Sequence, residues 1–301
     1  MPTIPLPIDE EDQSRLADWL EINALLENDG SASFDELESN LKTSKPSNIA
    51  EELSIAAYNE IRMRFTYLKE SYPFELSGRL VKRKIINNWT YIFCLLISYI
   101  GPDTGARALK IWKVNQVTHI FEKICTRAAE SYFSDNKCRA EAIQFGAPRS
   151  SWPRRIRPFV NALKYMKEHL LEGDVRGTSR EMAKDGGLDV LAWRHFPDKM
   201  PGKIILLGQC STSKYNYTDK LSEIESFLNN DYRIEHQRLK CFFLPHSLFS
   251  DNSTWGQINR SAGIPFDRCR ISYYAADWDG AEIKDIFDKI KLKLVKYRKS
   301  L

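Results

Sequence analysis

An aspartate, a glutamine and a lysine in the second half of this chain have the types and spacing for chemistry on a divalent cation. Asp189 opens the apolar run 188–194, and Gln209 closes the run 203–210. The polar stretch Phe196-Pro-Asp-Lys-Met-Pro-Gly202 between them reads as the loop of an antiparallel hairpin. Antiparallel pairing keeps the sum of partnered residue numbers constant. Centred on Lys199, that rule sets Asp189 opposite Gln209, about 5 Å apart on one sheet face. A carboxylate and an amide oxygen at that separation suit a hard cation. Lys214, five residues beyond Gln209, would add an ammonium to offset charge developing in a hydrolytic transition state.

The elements that must hold these groups follow from periodicity. Helical spacing of apolar residues covers 12–27, 48–72, 89–100, 103–133 and 153–171, whereas 28–47 carries several breakers and reads partly as loop. Strands are expected at 140–145, 188–194, 203–210, 239–244 and 269–275, with a helix over 218–229. The tail 280–299 has the apolar stripe of an amphipathic helix. The expected fold class is α/β (α+β): a helical N-terminal domain over 1–110, then a mixed-sheet core flanked by helices over 111–301. A helical insertion falls near 150–172.

The second half resembles the PD-(D/E)xK nuclease superfamily, in its Mrr-like restriction endonuclease branch. The resemblance rests on Asp-Gly-Gly-Leu-Asp-Val (185–190), the hairpin, Gln-Cys-Ser (209–211) where the family has Gln-x-Lys, and Phe121-Glu122 on a preceding helix. It covers roughly 115–275. It implies a restriction-endonuclease-like core in which Asp189, Gln209 and the backbone carbonyl of Cys210 bind Mg²⁺, with Mn²⁺ as a substitute. Ser211 stands where the family places its lysine, which leaves Lys214 or Lys220 as the displaced ammonium. Glu122 or Glu172 is the helix acid. The implied activity is metal-dependent endonuclease cleavage of nucleic acid, most naturally double-stranded DNA, in a bacterial restriction or anti-phage defence setting. A separately encoded ATPase or sensor subunit and a homo-oligomer are the implied partners. Ser211 also fits the other class of protein: an inactive subunit that keeps the nuclease fold and binds nucleic acid or a partner ATPase.

Bulk properties bound these readings. The net charge of +4 permits a nucleic-acid partner without demanding one. Six scattered cysteines without a CxxC pair argue against structural zinc and disulfides and for a reduced, cytoplasmic chain. The longest apolar run, 89–100, is too short to cross a bilayer and reads as a buried helix. Neither a Walker sequence nor GxGxxG occurs. The five histidines show no metal spacing, and His246 reads as a loop residue. Cys210 reads as core, not as a nucleophile. The basic clusters at 79–84 and 149–157 read as solvated helix faces or phosphate contacts. The stretch 255–270 reads as a shaped loop leading into a strand, with Asp267 and Arg268 as a structural pair.

Overall fold

A computed structural model describes residues 6–7, 11–100, 114–145, 187–198, 200, 202–214, 238–278 and 280–298. The fold is α+β, with a helical N-terminal region and a mixed five-stranded sheet. The contacts divide it into two units.

The first unit comprises 1–114, 245–253 and 267–301. Its elements are α1 (Gln13–Leu26), β1 (Ser31–Ser33), α2 (Phe34–Leu41), α3 (Ser47–Leu68), β2 (Phe74–Ser77), β3 (Leu80–Arg83) and α4 (Trp89–Ile100). The small antiparallel sheet runs β1-β3-β2. Thus 79–84 is a turn and a strand, where a helix face was expected. Arg79 is held there by Asp35 and Glu38, and Arg83 donates to the Leu25 carbonyl at 2.9 Å. The 28–47 stretch contains a short strand and α2, whose first turn is capped by Ser33.

α1 is buried from Ser14 to Leu26, so its polar residues must find partners inside the protein. They do so in one ionic network. Arg64 donates to Asp18 at 2.8 Å, Glu21 at 3.0 Å and Glu60 at 2.9 Å. Arg268 grips both oxygens of Asp18, at 2.6 and 2.7 Å, and lies over the Tyr91 ring. Tyr72 and Tyr91 both donate to Glu21, and Ser247 donates to Glu60 at 2.6 Å. Sequence division at 110/111 groups Ser247 and Arg268 with the second domain; by contacts they lie with the first. Arg268 spends its guanidinium on Asp18, not on the neighbouring Asp267. Asp267 caps a helix instead, accepting from Arg270 N–H at 2.9 Å. The segment expected as a strand, 269–275, is therefore helix α7 (Arg268–Tyr274), with Arg268, Cys269, Ile271 and Ser272 buried at helical spacing. The tail forms α8 (Ala281–Arg298). No described helix is long and apolar enough to cross a membrane.

The second unit comprises 115–244 and 254–266. It holds α5 (Val114–Phe133), β4 (Glu141–Gln144), β5 (Val190–Trp193), β6 (Ile205–Cys210), β7 (Arg238–Phe243), and β8 (Ile264–Phe266). Helix α6 (Asn252–Ala262) leads into β8. The stretch 255–270 is thus mainly helix and strand, not loop. Sheet order is β4-β5-β6-β7-β8, antiparallel on the β4 and β5 side and parallel from β6 to β8. Buried residues fill every position of β5 and β6, as expected for central strands covered on both faces. The expected helices at 153–171 and 218–229, the insertion near 150–172 and the basic cluster at 149–157 lie outside the described residues.

Candidate active site

The hairpin register is the one centred on Lys199. Val190 pairs with Gly208, Leu191 with Leu207, and Trp193 with Ile205. Gly208 has to be glycine, because a Cβ there would sit 2.7 Å from the Phe243 ring and 3.0 Å from Val190 Cβ. One position further, the ladder changes. Asp189 N–H donates to the Gly208 carbonyl at 3.0 Å, although Gly208 is already the partner of Val190. Two residues then oppose one, the count of a β-bulge, and such bulges re-aim side chains. Asp189 Oδ2 accepts from the backbone N–H of Cys210 at 2.7 Å. The carboxylate therefore reaches the end of β6 at Cys210, instead of simply facing Gln209 across the ladder.

Gln209 is 2% exposed, and its Oε1 has no hydrogen-bond partner among the described residues. A buried amide oxygen in that state costs free energy, so it marks a place for a missing donor or cation. After Cys210 the chain leaves the strand. Ser211 Oγ accepts from Ser213 N–H at 3.2 Å and donates to the Ser213 carbonyl at 3.2 Å, closing a local turn. Strict strand alternation therefore does not govern Lys214. That lysine is 4% exposed just past the turn, so it is a buried residue and not a solvated one. Cys210 is buried beside Cys241, whose thiol is pushed well above its ordinary range by burial, with Cys210 adding to the shift.

Helix α5 brings a second group of side chains to the same end of the sheet. Gln144 closes β4 and pairs with Val190, the neighbour of Asp189. Phe145 N–H, the next residue, donates to the Asp189 carbonyl at 2.6 Å. The Gln144 Nε2 lies 2.6 Å from Glu122 Oε2 and 2.8 Å from His119 Nδ1, while Gln144 Oε1 is buried without a partner among the described residues. Glu122 and His119 lie one turn apart on α5, the spacing that puts two side chains on one face. That spacing was readable in the sequence. Gln144 gave no sequence signal, since its role depends on where β4 ends.

The donors at this end of the sheet are oxygen-rich: the Asp189 carboxylate, the unpartnered Gln209 amide oxygen and the main chain at Cys210. That chemistry fits Mg²⁺ or Mn²⁺ better than a thiophilic metal. Among the described residues no three of His, Cys, Asp and Glu come together as a ready metal cluster. A cation here would rely on amide and main-chain oxygens beside one carboxylate. Glu172 and Lys220 lie outside the described residues.

Fold and site thus define an α+β protein with a carboxylate–amide centre at the end of a mixed sheet. No family model and no curated protein matches the chain. Among solved structures, the MspJI restriction endonuclease in complex with a 27-mer oligonucleotide is similar over 60% of this chain, at 15% identity and a TM-score of 0.31. The match covers 32% of that chain, about a third of its length. A likeness this slight identifies neither a family nor an activity.

Proposed function

We propose that this chain is a metal-dependent nuclease that hydrolyses phosphodiester bonds, with DNA as substrate. The observation that carries the reading is the meeting of the Asp189 carboxylate and the Cys210 main chain at the end of β6, the strand that also holds the buried Gln209 amide. Asp189, Gln209 and the Cys210 carbonyl would hold Mg²⁺, which supplies an activated water and polarises a phosphoryl oxygen when bound. Lys214 sits just beyond these ligands in sequence, where an ammonium offsets charge on the pentacovalent transition state. Glu122, fixed by Gln144, orients water or metal from the α5 side. The first unit serves recognition of DNA, a partner protein or an activating signal. A restriction or anti-phage setting beside an ATPase or sensor subunit suits such a two-part chain.

The test is cleavage of labelled duplex DNA, single-stranded DNA and RNA with Mg²⁺ or Mn²⁺. Wild-type protein should cut at least one, Asp189→Ala should abolish cutting, and Lys214→Ala should lower the rate by about 100-fold or more. Intact substrates in every reaction would remove the reading. A second reading, an inactive nuclease-fold subunit that binds nucleic acid or a partner ATPase, is favoured by Ser211 at the usual lysine position. It predicts nucleic-acid or partner binding that survives Asp189→Ala, with no cleavage.

A further inference from the structure

Gln144 makes two hydrogen bonds through one amide nitrogen, to Glu122 and to His119, while its oxygen stays buried and unpartnered. The arrangement restricts its own protonation. A carboxylate at 2.6 Å requires a donor, so the nitrogen of the amide faces Glu122 when Glu122 is ionised. The second N–H of that nitrogen then points to His119 Nδ1, which must accept and carry no proton. His119 is thereby held as the neutral Nε2–H tautomer. Flipping the amide would put its oxygen against both partners, which demands a protonated Glu122 and a proton on His119 Nδ1. That flip would also bury the NH2 group where the oxygen now lies, without an acceptor among the described residues, so the first state is the one the geometry favours.

Position gives this lock a use. Gln144 is the register partner of Val190, and the next residue of β4's chain bonds the Asp189 main chain. Whatever fixes Gln144 therefore fixes two α5 side chains relative to Asp189. A glutamine at 4% exposure with one orphaned oxygen is costly to keep for packing alone. We propose that Gln144 is the positioning residue of this site: its amide nitrogen holds the Glu122 carboxylate and, through Nδ1, makes His119, as the Nε2–H tautomer, a third member of the site. The catalytic half of this inference rests on the nuclease reading above. Gln144 touches no substrate in it; it acts through Glu122 and His119.

Two measurements on the intact chain test it. Nitrogen-15 NMR of the imidazoles at neutral pH should show His119 Nδ1 unprotonated in the wild type. In Gln144→Leu that tautomer preference should be lost. With Mg²⁺, Gln144→Leu should lower kcat by about 10–100-fold at unchanged KM, the usual cost of removing a group that orients a site from behind. Added to Glu122→Ala, it should cost nothing more, because both changes break one unit. Gln144→Met keeps the length of the side chain and removes both hydrogen bonds, so it replaces the leucine variant if that one fails to fold. A protonated Nδ1 in the wild type overturns the lock. A wild-type rate in the Gln144 variants, or losses that add to that of Glu122→Ala, overturns the positioning role. Absence of cleavage by the wild type removes the nuclease reading and the catalytic half together, and the NMR result alone then decides the lock.

Discussion

Asp18 and Glu21 lie one turn apart on α1 and are pushed in opposite directions by the same buried network. Burial opposes ionisation of Asp18, but Arg268 and Arg64 outweigh it and hold that carboxyl well below the usual carboxylate range. For Glu21 burial wins over Arg64 and Arg268, the charge of Asp18 adds to it, and the carboxyl rises above its ordinary 4.5. Three carboxylates share two guanidiniums here, and Glu21 is the one whose ionised form burial disfavours most. The consequences for stability have opposite signs. The contribution of Asp18 is complete above its unfolded value and is lost as pH falls through the lowered one. That of Glu21 is complete below its unfolded value and is lost as pH rises through the raised one. Glu21→Gln should therefore flatten the decline in stability as pH rises above the ordinary carboxylate range, read by urea denaturation. An unchanged slope would show that Glu21 does not cause that decline. Little of this network was legible. The apolar spacing at Leu16, Trp19 and Leu20 announced α1, but Asp18 and Glu21 look like the solvated side of such a helix until burial on every side is seen. Strand counting and a Phe-Glu pair single out Asp189, Gln209 and Glu122 as candidates in the sequence. His119 and Gln144 carry no such mark, because their contact depends on where β4 ends against α5.

Among the elements, the strands at 141–144, 190–193, 205–210 and 238–243 follow the sequence pattern closely, since their apolar runs are short, continuous and bounded by breakers. Helix α7 does not. Its run Arg-Cys-Arg-Ile-Ser-Tyr-Tyr mixes charges with β-formers and resembles a strand in alternation, and the deciding residue lies just before it. Asp267 is buried and accepts from two backbone N–H groups, Arg270 at 2.9 Å and Leu248 at 3.2 Å. Burial raises its carboxyl, partly offset by those two donors. Removing the cap with Asp267→Ala should cost about 1–2 kcal/mol in denaturant unfolding, with Asp267→Asn closer to wild type. Equal stability of all three would show that packing alone sets α7. At the hairpin, the loop centre fixed the register as counted from sequence. The bulge at Asp189 did not show, because a one-residue departure leaves the apolar pattern of both strands intact.

At the scale of the whole molecule, the chain is two units whose boundaries do not follow sequence order. Ser247 and Arg268, from the second half, complete the ionic network of the first unit. Residues so far apart carry no shared local pattern, so the sequence does not announce their meeting. The candidate hydrolytic centre lies wholly within the second unit, built from α5, β4, β5 and β6. The central claim is that Asp189 and Gln209 share a divalent ion. Anomalous diffraction from crystals soaked in Mn²⁺ tests it most directly. The account predicts a peak on the order of 2 Å from the Asp189 carboxylate and from Gln209 Oε1, lost in Asp189→Ala. A site without density there, while Mn²⁺ binds elsewhere on the protein, would contradict it.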